Sequence, residues 1–219
     1  MNMNVRLIAF IFALITPIAG CNSALTDRGR HVQIRIGNHI LSTYIPDRQS
    51  EMFYNSSVLT EVDLDNDIFH HKPFAVDVIN KFWDFKSFFR VIGILRYSVR
   101  IVRISDTQGI DRADITAFIG FVNSRFESSG LACEEDISLK EVNGVNWYFC
   151  KFYSGKTNLS NREFVDKNLD YIYYSQLSEH YFVQMLFTFT GDENGLRWVA
   201  RANSIMNNIL ESTSLMHID

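Results

Sequence analysis

The chain has 219 residues, 47% hydrophobic and 14% aromatic, with 21 Lys and Arg against 25 Asp and Glu for a formal charge of −4. That apolar supply excludes a disordered chain, and the mildly acidic balance excludes a general nucleic-acid binder, which needs a basic footprint. The length suits one domain with a full core.

The first element is an apolar run, Leu7 to Ile15, preceded by Arg6 and followed by Thr16-Pro17 and Ile18-Ala19-Gly20-Cys21. A positive start, a short apolar core and small residues before a cut site read as an export signal. A membrane-spanning helix fits less well, because Leu7 to Gly20 supplies 14 residues where about 20 are needed. Ile18-Ala19-Gly20-Cys21 resembles the lipobox of bacterial lipoproteins. The resemblance implies cleavage before Cys21 and acylation of Cys21, palmitate included, which makes the lipid bilayer the first partner. By the same resemblance Asn22, where an Asp would favour inner-membrane retention, points to the periplasmic face of the outer membrane. Residues 1–20 are then a signal peptide, 21–30 a tether and 31–219 a single domain, with 20 basic against 25 acidic residues after loss of Arg6. An ordinary cleaved signal, with Cys21 incidental, is the alternative.

His31 to Ile45 alternates like a strand pair turning at Gly37-Asn38 and stopping at Pro46-Asp47. Gln49 to Asp67 reads as loop. Phe74, Val78, Phe82, Phe85 and Phe89 recur at helical spacing and predict a helix from near Pro73. From Gly93 the period switches to two, with Leu95, Tyr97, Val99 and Ile101 marking a half-buried strand. Ile115, Phe118, Ile119, Val122 and Phe126 predict a further helix, capped by Asp111 or Asp114 and stopped at Gly130.

Ile137–Glu141 and Asn146–Tyr153 are expected to form a hairpin about Asn143-Gly144, whose residues supply the positive φ angles of a type I′ turn. Tyr171–Leu177 and Tyr181–Phe189 follow as a second hairpin. Trp198, Ala202, Ile205 and Ile209 stripe a closing helix that ends near Ser212. The expected class is α+β: an antiparallel meandering sheet with flanking helices and a C-terminal helix packed on it. The hairpin, hairpin, closing-helix order, carried by Val142-Asn143-Gly144, the Tyr-rich strands and Ile205–Leu210, resembles the PsbP/Mog1-type fold of DcrB-like lipoproteins. That resemblance implies a non-catalytic assembly factor, binder or inhibitor.

With Cys21 assigned to lipid, Cys133 and Cys150 remain, and an oxidising compartment favours their disulfide. The hairpin register alone puts Cys133 opposite Ser154 and Cys150 opposite Ile137, about 13 Å apart along the strand. A bridge needs Cα atoms within roughly 7 Å, so Cys133–Asp136 must fold back. Two buried thiols are the other possibility.

Asp63, Asp65 and Asp67 begin like a calcium loop, but Ile68 and Phe74 stand where an EF-hand needs Gly and Glu. A solvated acidic loop is the plainer reading, and neighbouring His70 and His71 diverge too far to clamp a metal. No nucleophile motif or phosphate loop occurs, and no cofactor is expected. Arg96 and Arg100 share a strand face and suit an acidic partner, or a solvated face with cross-strand pairing. Tyr148, Tyr171, Tyr173 and Tyr181 crowd two hairpins, and Tyr and Arg are enriched in binding hot spots. The expected function is a non-catalytic binding protein of the envelope, an immunity protein or inhibitor or an assembly factor, acting on a protein partner. The alternative is an envelope hydrolase with a non-contiguous site.

Overall fold

The computed structural model describes residues 28–47, 57–65, 74–87, 90–103, 133, 137–154, 168–178, 180–191 and 196–218. Alternating sequences in these segments form strands β1 (Gly29–Ile36), β2 (His39–Pro46), β3 (Ser57–Val58), β4 (Glu61–Val62), β5 (Phe74–Ser87), β6 (Arg90–Arg103), β7 (Ser138–Val142), β8 (Val145–Ser154), β9 (Asn168–Gln176) and β10 (Tyr181–Gly191). Helix α1 (Leu196–Ser212) and strand β11 (Ser214–His217) close the chain. A smaller sheet runs β11-β2-β1-β4 and a larger one β3-β5-β6-β10-β9-β8-β7.

The described residues are therefore predominantly β, in two sheets with one helix, which corrects the expected α+β fold with flanking helices. The largest single error is the segment from Phe74, which is not a helix but the 14-residue strand β5 paired along its length with β6. Two features hid its period of two. The register shifts between Asp77 and Ile79, so Val78 is an extra, bulged residue that moves the buried set to the other parity. Beyond it Ile79, Lys81, Trp83 and Phe85 all face inward and are buried, and a lysine at an inward position disguises an apolar alternation. The sheet is also not a plain meander, because β6 lies between β5 and β10, pairing Arg103 with Tyr181 and Gly93 with Gly191. The helix expected after Asp111 lies outside the described residues.

The alternation expected of β6 holds: Leu95, Tyr97, Val99 and Ile101 are all fully buried. They join Val183, Met185 and Phe187 of β10 and Ile34, Ile36, Leu41 and Ile45 of the smaller sheet in one core. Tyr97 and Phe187 stack across β6 and β10 with ring centroids 4.8 Å apart. Helix α1 covers this core with Trp198, Ala202, Met206 and Ile209. Its first anchor is Trp198, whose indole rests where β6 and β10 bring Gly93 and Gly191 opposite each other. A Cβ on Gly93 would come within 2.2 Å of that ring, so only glycine lets the helix seat this deeply.

The opposite face of the larger sheet carries a second buried cluster, Cys150, Phe152, Ile172, Tyr174 and Phe182, with Cys133, Ile137, Tyr148 and Leu186 packed against it. Cys133 and Cys150 are bridged here, with Cα atoms 5.6 Å apart. Cys133 pairs with Phe152, two residues nearer the turn than continuing the β7–β8 register would place it. That two-residue offset is the fold-back a bridge requires.

Candidate interaction surface

Arg96 and Arg100 lie on the outward face of β6, two pleats apart, beside Asp77 of β5. Arg100 Nε donates to Asp77 Oδ1. Arg96 Nε donates to Asn80 Oδ1 at 3.1 Å, its Nη2 stands 4.0 Å from Asp77 Oδ2, and its guanidinium lies 5.7 Å from the centre of the Phe82 ring. Burial lowers the Arg96 pKa and repulsion by Arg100 adds to this, while Asp77 and Asp170 pull the other way. The structure thus brings the two arginines together, as the shared face implied, and supplies their counter-charge from within the chain. About a third of each side chain stays open to solvent, 32% for Arg96 and 30% for Arg100.

The four tyrosines do not form a surface. Tyr173 and Tyr181 are 4% and 8% exposed and belong to the main core, and Tyr171 packs against it. Tyr173 meets Phe149 at 4.9 Å between centroids, Tyr171 meets Phe189 at 5.4 Å, and the Tyr181 hydroxyl donates to the Leu64 carbonyl at 2.9 Å. Burial pushes the Tyr173 hydroxyl up to about 12. Tyr148 lies on the other face, half-buried against the second cluster. Strand sequence alone does not tell which face α1 and the smaller sheet will cover, and here they cover the side holding Tyr171, Tyr173 and Tyr181.

What sequence reasoning missed is the edge of the larger sheet. Among the described residues β7 pairs only with β8. Ser138, Leu139, Lys140 and Glu141 are all exposed, and Leu139, at 57%, is the most exposed large apolar side chain among the described residues. The turn angles, φ 49° at Asn143 and 77° at Gly144, are those of type I′. The closing pair Val142–Val145 of such a two-residue hairpin is hydrogen-bonded, and bonded pairs alternate with unbonded ones along the ladder. Leu139 and Glu141 consequently turn their N–H and C=O groups away from β8, toward the open edge. The tip is rigid, because Asn143 Nδ2 donates to the Glu211 and Thr213 carbonyls at 2.7 Å each, tying the turn to the end of α1. The Cys133–Cys150 bridge ties down the same side of the sheet beyond the other end of β7. An apolar knob beside backbone groups that no strand pairs among the described residues, on a clamped strand, is the geometry of strand addition by a partner.

Of the remaining candidates, Cys21, Asp67, His70 and His71 lie outside the described residues. Asp63 Oδ1 accepts from the Asp65 main-chain N–H at 3.0 Å, a local turn contact. No group of three or more His, Cys, Asp or Glu side chains poised for a metal occurs among the described residues.

No protein-family model matches the chain, and no curated protein matches it. Among solved structures, that of LpqN, involved in cell envelope biogenesis of Mycobacterium tuberculosis, is similar over 87% of this chain and 92% of that chain, at 11% identity and a TM-score of 0.47. A likeness at that level fixes neither fold nor function.

Proposed function

We propose that this chain is a lipid-anchored protein of the cell envelope, held through acylated Cys21 at the periplasmic face of the outer membrane, which works by binding a protein partner. As an immunity protein or inhibitor it would occlude the partner's working surface, and as an assembly factor it would hold the partner in place. The observation that carries the location is the Cys133–Cys150 disulfide, since such bridges persist in oxidising compartments, in keeping with the export signal read from Leu7 to Cys21. Support for binding comes from the exposed edge of β7 with Leu139 at its centre. Arg96 and Arg100, about one-third exposed and set on the outward face of the same sheet, are a second polar handle.

The test has two arms. Labelled fatty acid should enter the native chain and not Cys21→Ser, and label retained by that variant would overturn the anchor. Affinity capture from envelope extract, read by mass spectrometry, should return one stoichiometric protein. Leu139→Pro should lose it, because proline is tolerated on an edge strand where the N–H faces solvent yet removes the donor a partner strand needs. Equal capture by native chain and variant would overturn the β7 edge as the binding surface, and an empty capture at low salt would overturn a stable protein partner.

A further inference from the structure

The C-terminal strand β11 adds to β2 in a register that sets His217 directly opposite His39. The next pair along is Ile218 and Asn38, joined by a main-chain hydrogen bond from Ile218 N to Asn38 O at 2.8 Å. In an antiparallel ladder bonded and unbonded pairs alternate, so His39 and His217 occupy an unbonded pair, the class with Cα atoms only about 4.5 Å apart and side chains closest. The two imidazoles leave the same face of the sheet, with ring centroids 4.9 Å apart and planes inclined at 64°. His39 is half-buried and His217 exposed, so one ring is held by its surroundings while the other opens to solvent. Burial, and then the charge of His217, also favour the neutral form of His39.

We propose that His39 and His217 form a two-imidazole site for a divalent transition metal, Cu(II) foremost, with Ni(II) and Zn(II) binding more weakly. Imidazole nitrogen is a preferred ligand of these ions, and for a given nitrogen site affinity peaks at Cu(II). Two rings already placed side by side raise the effective concentration of the second ligand once the first has bound. Water completes the coordination shell on the open side of His217. Because one ligand sits on β2 and the other on the last strand of the chain, the ion would staple β11 to the smaller sheet.

The test is titration of the full-length chain in detergent with Cu(II) alone, followed by electron paramagnetic resonance and by thermal unfolding. The native chain should show a signal split by two imidazole nitrogens and should melt higher with Cu(II) than without it. His217→Asn, on the exposed strand, should bind about tenfold or more weakly, the loss of one preorganised ligand, show at most one imidazole nitrogen and lose the thermal shift. His39→Asn should behave alike, and His31→Asn should match the native chain. Copper binding unchanged in His217→Asn, or a native signal lost instead in His70→Asn or His71→Asn, would overturn the site.

Discussion

The side-chain amide of Asn143 lies 2.7 Å from the main-chain carbonyl of Glu211, 68 residues later, and at the same distance from that of Thr213. One turn residue therefore satisfies a carbonyl that the end of α1 leaves without a helical partner, at Glu211, and that of Thr213 just beyond the helix. The same residue holds a positive φ of 49°, which Asn tolerates better than most side chains. Local turn chemistry and a long-range cap are thus vested in one position.

Replacing Asn143 separates those roles. Asn143→Gly keeps the turn and loses the cap, and is expected to destabilise by about 1–2 kcal/mol. Asn143→Ala loses both and should fall by roughly a further 1 kcal/mol. Urea unfolding of the two variants checks this, and equal stabilities would show that the turn geometry contributes nothing.

Gly93→Ala should drive the sheet into the Trp198 indole, a steric clash of about 1–3 kcal/mol. Trp198→Ala alone should cost about 3–5 kcal/mol. The double variant should be no less stable than Trp198→Ala, since the clash has gone. A double-mutant cycle measures this, and simple additivity would mean that the glycine notch does not seat the helix.

The Cys133–Cys150 bridge closes a loop with a sequence separation of 17, worth about 3 kcal/mol. Adding reductant, or making Cys133→Ser with Cys150→Ser, should lower the denaturant midpoint accordingly. An unchanged midpoint would mean that the second cluster holds this part of the sheet without the bridge.

Stability is expected to fall in alkali. Burial raises the Tyr173 hydroxyl to about 12 and raises Tyr97 and Tyr174 further, whereas an unfolded phenol titrates near 10. Above about pH 10 the unfolded chain loses protons that the folded chain keeps, so the folded state is progressively disfavoured as pH rises. Below that pH these groups contribute no pH dependence. Chemical unfolding across the alkaline range, with phenolate absorbance followed alongside, should show both effects together. Ionisation of all nine tyrosines before unfolding would contradict the burial of these three.

Arg100 and Asp77 are 30% and 39% exposed, and a pair so open to solvent contributes less than about 1 kcal/mol. Arg100→Ala should leave the melting behaviour nearly unchanged. A large loss would place this ion pair among the determinants of the sheet.

Local order was legible in the residues themselves. The Asn143-Gly144 turn, the register from Ser138–Phe149 to Val142–Val145, the alternation of β6 and the closing helix each depend on neighbours a few positions away. The need for a Cys133–Cys150 bridge was legible too, though not the two-residue offset that permits it. Three things were decided only when distant segments met. β5 is a strand because β6 offers it a full ladder, and its bulge at Val78 is defined only against that partner. Tyr171, Tyr173 and Tyr181 are core because α1 and the smaller sheet cover one face of their strands and not the other. His39 faces His217, and β7 ends the larger sheet among the described residues, because strand order is set by which apolar faces can be buried together. Periodicity encodes that a residue alternates or turns, whereas the face that is buried and the strand that lies beside it are properties of the assembled core.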